Sequence, residues 1–208
     1  MVSDKPNSMK NVSVPTIQQR LDKLLLALQD SRLLNNRGIG KEIGFYIFDY
    51  DPEHEPLVQQ HVARLKLQLT NSINNLKVEE INLYHAILEI LQGRRVLQKA
   101  FDLEATKGSA VLNKTISPLL RPAQVVDHIH KKLSGQEQLV FLTGVGASWP
   151  SLRSHTILNN LHAALDRTPL VMFFPGSYDG QELRLFNTFK DDNYYRAFPL
   201  IPRQERIL

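Results

Sequence analysis

The apolar positions of this chain follow two different rhythms. Three short runs carry almost no polar interruption: Phe45-Tyr46-Ile47-Phe48, Leu139-Val140-Phe141-Leu142-Thr143 and Leu170-Val171-Met172-Phe173-Phe174. Runs of this length predict strands buried on both faces, as in a parallel sheet. Between them, apolar residues recur at helical spacing. Thr16 and Gln19 form a capping-box pattern ahead of Ile17, Leu21, Leu24, Leu25 and Leu28. This predicts one amphipathic helix from Thr16 to about Leu34, stopped by the turn residues Asn35 to Gly40. Pro56 opens a helix with the stripe Val58, Val62, Leu65 and Leu69. Val78, Ile81 and Leu83 predict a further strand, against the two glutamates between them. Tyr84, Ile87, Leu88 and Leu91 begin a helix expected to reach about Leu103, and Lys107–Ser117 reads as a loop. Val126, Ile129 and Leu133 mark a helix ended by Gly135. Pro150 starts another, carrying Ile157, Leu158, Leu161 and Leu165. Pro175-Gly176 ends the third strand run, and Leu183–Phe186 and Tyr194–Leu200 read as short final strands.

Strands alternating with helices predict βαβ units with right-handed crossovers. The expected fold is α/β, a single domain over residues 16–208. Its sheet is mainly parallel and flanked by helices in a Rossmann-like three-layer arrangement, with short C-terminal strands. Residues 1–15 are polar and read as a flexible tail.

Composition narrows the chemistry. The 208 residues are 42% hydrophobic and 22% charged, which excludes a wholly disordered chain. Cysteine is absent, so disulfides, thiolate catalysis and Cys-ligated metals are excluded. No apolar run is long enough to span a bilayer, and the polar N-terminus lacks the apolar core of a signal peptide. A soluble, cytoplasmic protein is the expectation. The net charge of +4 permits weak attraction to acidic surfaces without requiring it.

Ligands of such sheets bind beyond the carboxyl ends of the strands. There the sequence places Asp49 and Asp51, then Gly144 and Gly146, with Arg153 and His155 in the following turns. Asp49, Gly144, Gly146, Arg153 and His155 form a candidate strand-end ligand site. Gly144-Val145-Gly146 lacks the Lys-Ser/Thr of a phosphate loop, and Trp149 stands where a dinucleotide fold needs glycine or alanine. A tight structural turn is the competing reading. Asp49 and Asp51 resemble an acidic Mg²⁺ turn and equally suit helix capping. His155, Asn159, His162 and Asp166 share one helix stripe, but the two histidines are two turns apart, which favours a solvated or partner-facing surface over a metal site. No Gly-x-Ser-x-Gly elbow anchors a hydrolase. No cofactor, metal or catalytic residue is expected. Tyr178 and Asp179, between Gly176 and Gly180, read as an outward loop. With Tyr194, Tyr195 and Arg196 they form a candidate partner surface, because Tyr and Arg concentrate at interface hot spots.

Four segments stand in order along the chain: Asn36-Arg37-Gly38-Ile39-Gly40-Lys41-Glu42-Ile43 leading into Phe45–Tyr50; Phe141–Gly146 with Leu152–Leu161; Phe173–Phe186; and Asp192–Phe198. Together they resemble the BrxB family of bacterial BREX phage-defence systems. The resemblance covers about Thr16 to Leu200. It implies a role in phage restriction beside a large AAA+ ATPase, a PglZ-type alkaline-phosphatase-like protein and a PglX-type DNA adenine methyltransferase. It brings no catalytic residues. The expected function is therefore a non-enzymatic adaptor, monomeric or weakly dimeric, touching DNA only indirectly or weakly. Two alternatives stay open: a small nucleotide- or metal-dependent enzyme using the strand-end loops, and a direct nucleic-acid-binding subunit.

Overall fold

The computed structural model describes residues 14–35, 44–72, 75–165, 168–190 and 197–203. Most of the candidate tail, the segment 36–43 and the segment 191–196 lie outside the described residues. In chain order the helices are α1 (Ile17–Asp22), α2 (Leu24–Leu28), α3 (Ser31–Leu34), α4 (Glu55–Thr70), α5 (Leu83–Gly93), α6 (Leu97–Lys107), α7 (Ser109–Ile116), α8 (Pro122–Lys132), α9 (Val145–Ser148) and α10 (Ser154–Leu165). The strands are β1 (Phe45–Tyr50), β2 (Val78–Asn82), β3 (Leu139–Thr143), β4 (Leu170–Tyr178), β5 (Leu183–Leu185), β6 (Phe189–Lys190) and β7 (Ala197–Pro199).

The sheet runs β2-β3-β4-β1-β7, with every neighbour parallel. Its side chains alternate between two cores, as the pleat requires. Val140, Leu142, Leu170 and Met172 pack on one face with Ile90, Val125, Ile129, Leu158 and Leu161 from α5, α8 and α10. Leu139, Phe141, Val171 and Phe173 pack on the other with Leu21, Leu24, Val58, Val62, Leu65 and Leu69 from α1, α2 and α4. The expected α/β fold, a mainly parallel sheet with helices on both faces, is therefore observed. The predicted stripe of α4 is buried at each of its four positions.

Several boundaries differ from expectation, each for a local reason. The first helix is three short pieces. Its capping box is present in both directions, Thr16 Oγ1 accepting from Gln19 N and Gln19 Oε1 from Thr16 N. The chain leaves the helix at Asp30, whose carboxylate accepts from Arg32 N and starts α3. The long helix after Tyr84 breaks at Arg95, which adopts φ +58°, so α5 and α6 are separate. The segment read as a loop is α7. Leu112 and Ile116 pack against the core, and Gly108 at φ +80° separates the helix from α6. The helix before Gly135 ends earlier, at Lys132, and α10 begins at Ser154 rather than Pro150.

The largest correction concerns β4. Pro175-Gly176 does not end this strand. Proline lacks a donor, but the Pro175 carbonyl accepts from Phe186 N at 2.8 Å, and β4 exchanges its parallel partner β1 for the antiparallel hairpin β5–β6. Gly176 makes the exchange possible. A Cβ there would lie 2.1 Å from the Arg184 carbonyl oxygen, so only glycine lets β5 approach. Gly176→Ala should therefore destabilise the fold by about 1–3 kcal/mol. Gly93→Ala, at the end of α5 with no atom within 4 Å of the added Cβ, should be neutral or raise stability by up to about 1 kcal/mol. Denaturant melts of the two variants check the contrast.

Candidate functional site

The carboxyl end of β1 carries Asp49 into a site that is only 3% exposed. A lone buried carboxylate is costly, and here two guanidiniums meet it. Arg20, on α1, donates from Nη2 to Asp49 Oδ1 at 2.8 Å and from Nη1 to the Asp49 carbonyl at 2.6 Å. Arg203 donates from Nε to Asp49 Oδ2 at 2.6 Å. The same two arginines reach further. Arg20 Nη2 donates to the Ile201 carbonyl at 2.6 Å, and its guanidinium carbon lies 4.6 Å from the centre of the Phe48 ring. Arg203 donates to Asp51 Oδ1 at 2.9 Å and to the Gly176 carbonyl at 2.6 Å. Asn187, in the hairpin turn, also donates to Asp51 Oδ1 at 2.9 Å. One cluster thus ties α1, the end of β1, β4, the hairpin and the segment after β7.

The electrostatics follow from this geometry. Hydrogen bonds from Arg203 and Asn187 hold the Asp51 carboxyl below the usual carboxylate range. Burial pulls the Arg20 guanidinium below its ordinary value, opposed by Asp49. The two aspartates, which resemble an acidic Mg²⁺ turn or helix caps in sequence, are instead paired with arginines. Among the described residues no cluster of His, Asp and Glu is arranged to hold a metal ion.

The other predicted residues separate. Gly144 adopts φ +68°, and a Cβ there would collide with the Asn82 side chain at 2.2 Å, while Asn82 itself caps α5 through His85 N. Gly146 lies against Pro175 and Phe186. The strand–turn–helix is a packed structural turn, and α9 is a single turn long. His155 is buried, with Nε2 2.9 Å from Thr156 Oγ1, so it does not join a solvated stripe with Asn159; the side chains of His162 and Asp166 lie outside the described residues. Arg153 alone of the expected ligand site is exposed, on the cleft beside Trp149.

Tyr178 corrects the expected partner surface. It is the last residue of β4, it points inward, and its hydroxyl donates to the Ala197 carbonyl at 2.8 Å. Its backbone N–H donates to Asp49 Oδ2 at 3.3 Å. Burial, with a contribution from Asp179, pushes the phenol up to about 12. Asp179 is exposed, and its carboxylate accepts from Gln181 N and Glu182 N, shaping the turn into β5. Tyr194, Tyr195 and Arg196 lie outside the described residues. Sequence reasoning missed Arg20 and Arg203. Arg20 did leave a trace: at i+3 from Ile17 and i−4 from Leu24 it lies on the apolar face of its helix, where a solvated arginine has no place.

Asp49→Ala should leave Arg20 buried and uncompensated and cost about 3–5 kcal/mol in denaturant unfolding. Arg203→Ala should cost about 1–2 kcal/mol, because Arg20 still pairs the carboxylate and Arg203 is part-exposed. The pH dependence has a definite sign. A carboxyl whose folded pKa is depressed stabilises above its unfolded value of about 3.9 and loses that contribution as pH falls through its folded value. The wild-type melting temperature should therefore drop with acidification below about pH 4. In Arg203→Ala the drop should be shallower.

Comparison with known proteins supplies the context for this site. The family model described as "BREX protein BrxB" matches residues 79–200. A "BREX protein BrxB" of Bacillus cereus (strain H3081.97) is 50% identical over 191 residues, covering 90% of this chain and 98% of that protein. A "BREX protein BrxB" of Escherichia coli O9:H4 (strain HS) is 34% identical over 189 residues, covering 90% and 93%. No solved structure matches the chain. Among the described residues no helix is long and apolar enough to cross a membrane. The family model and both relatives span the strand-end cluster at Gly176 and the turn at Gly144, and the chain belongs to the BrxB family of BREX proteins.

Proposed function

We propose that the protein is a non-catalytic adaptor of the BREX phage-defence assembly, working by docking protein partners. One observation carries this reading. Helices α5, α6 and α7 enclose an apolar groove of about 190 Å³ whose walls include Tyr84, Leu97, Phe101 and Leu112. Tyr84 and Phe101 remain 39% and 44% exposed at its rim. Aromatic residues left open around a preformed groove suit the insertion of a partner's apolar side chain. The strand-end carboxylates support the same reading from the other direction. In many α/β enzymes that edge does the chemistry, whereas here Asp49 and Asp51 are tied to Arg20 and Arg203.

The partners are the other components of the system: the AAA+ ATPase, the PglZ-type protein and the PglX-type methyltransferase. In this reading the adaptor is cytoplasmic, monomeric or weakly dimeric, and meets DNA through those partners. Tagged protein should capture at least one of the three when each is offered alone. Phe101→Ala with Tyr84→Ala should reduce that capture about tenfold or more. Its melting temperature should stay close to wild type, because neither side chain is fully buried. Asp179→Ala, offered in parallel, tests the exposed turn before β5 as a second contact. Failure to capture any component would end the adaptor reading. Undiminished capture by the double variant would remove the groove from it.

A further inference from the structure

A second cavity, of about 260 Å³, lies on the other side of Trp149, between the start of α10 and the β5–β6 hairpin. Its walls have three unlike properties. The first is aromatic. Trp149 and Phe189 stack with ring centres 4.4 Å apart and a 29° tilt, yet remain 36% and 44% exposed, and Phe186 meets Trp149 edge-on at 6.1 Å. The second is cationic. Arg153 is exposed on the cavity, and no ion pair or hydrogen bond engages its guanidinium among the described residues. Lys190 lines the opposite wall. It is held by Glu182 at 2.5 Å, and Glu182 also pairs with Arg184, so two cations share one carboxylate there.

The third property is a hydroxyl. Ser154, the first residue of α10, lines the cavity and is only 5% exposed, but its side chain has no hydrogen-bond partner among the described residues. The hydroxyl is not itself sealed off and is open to a ligand in the cavity. Arg153 occupies the capping position, since its carbonyl accepts from Ile157 N, and an arginine side chain has no acceptor to offer the first-turn amides. The positive end of this twelve-residue helix therefore faces the cavity without an acidic or hydroxyl cap from that position.

We propose that this cleft binds the phosphate of a nucleotide, with the phosphate at Arg153, Ser154 and the start of α10, and the base against the Trp149–Phe189 stack. An anion satisfies the helix end, the open guanidinium and the Ser154 hydroxyl together. A flat ring suits an exposed aromatic pair, which carries no demand for a particular base. The volume lies just under the roughly 300–1,000 Å³ of drug-sized ligand sites, which limits the occupant to about one nucleotide unit. The nucleotide is either free or the end of a single strand, and the two share this chemistry.

Trp149 is the chain's only tryptophan, so its fluorescence reports on the cleft directly. The full chain should be titrated with adenosine monophosphate, with a short end-phosphorylated single-stranded oligonucleotide and with inorganic phosphate. Adenosine monophosphate should give a saturable change and bind more tightly than inorganic phosphate. Arg153→Glu should weaken it by about tenfold or more, and Ser154→Ala by about threefold, with melting temperatures near wild type. Lys131→Glu, on α8 and outside the cleft, should leave it unchanged. An oligonucleotide that binds more tightly than the mononucleotide, with steep salt dependence, assigns the site to a strand end; equal affinities assign it to the free nucleotide. The absence of a saturable change with either nucleotide probe, or wild-type affinity in Arg153→Glu, would overturn the proposal. Inorganic phosphate binding as tightly as adenosine monophosphate would overturn the placement of the base.

Discussion

A carboxylate almost sealed from water is stable only if its charge is met, and Asp49 is met twice. Arg20 and Arg203 approach its two oxygens separately, so each lone-pair face has its own guanidinium. The surplus donors of the arginines then determine where the backbone goes. Arg20 fixes the carbonyl of Ile201, Arg203 fixes that of Gly176, and Tyr178 N–H closes the ring on Asp49. Removing any member leaves the others paying desolvation for contacts they no longer make. The first helix, the hairpin and the final segment all depend on this cluster for their position.

The cluster also explains what the sequence could and could not reveal. The strands and the α4 stripe are written in local periodicity, so Phe45–Phe48, Leu139–Thr143 and Leu170–Phe174 were legible one by one. Pro175 was misleading. Its missing donor usually ends a strand, yet here it falls where the ladder changes partner. Tyr178 followed from that error: a loop residue points outward, but the last residue of a continued strand points where the pleat sends it. Asp49 and Asp51 were visible as acids at a strand end. Their arginines were not, because Arg203 is 154 residues away from Asp49 in the chain and nothing local announces the pairing.

Helix α7 shows the reverse failure. Lys107–Ser117 has a glycine, two serines, an asparagine and a threonine, the composition of a connection. The segment becomes helical because α6 and the core offer a surface to its Leu112 and Ile116. The same docking leaves Tyr84 and Phe101 at the rim of a groove, so the segment least legible as structure builds the wall of the candidate partner site.

The position of β1 has a consequence in time. It is the earliest strand in the chain and lies inside the sheet, between β4 and β7. During synthesis its main-chain donors and acceptors have no strand to pair with until Leu170–Pro175 has been made, and its second edge waits for Ala197–Pro199. The helices α4 to α8 can form as they emerge, since their hydrogen bonds are local. The central strand cannot. For most of its translation the nascent protein therefore carries an apolar, unpaired Phe45-Tyr46-Ile47-Phe48 segment, the kind of exposed edge that chaperones shield. Arg203, which pairs with the strand's Asp49, is made later still than β4 and β7.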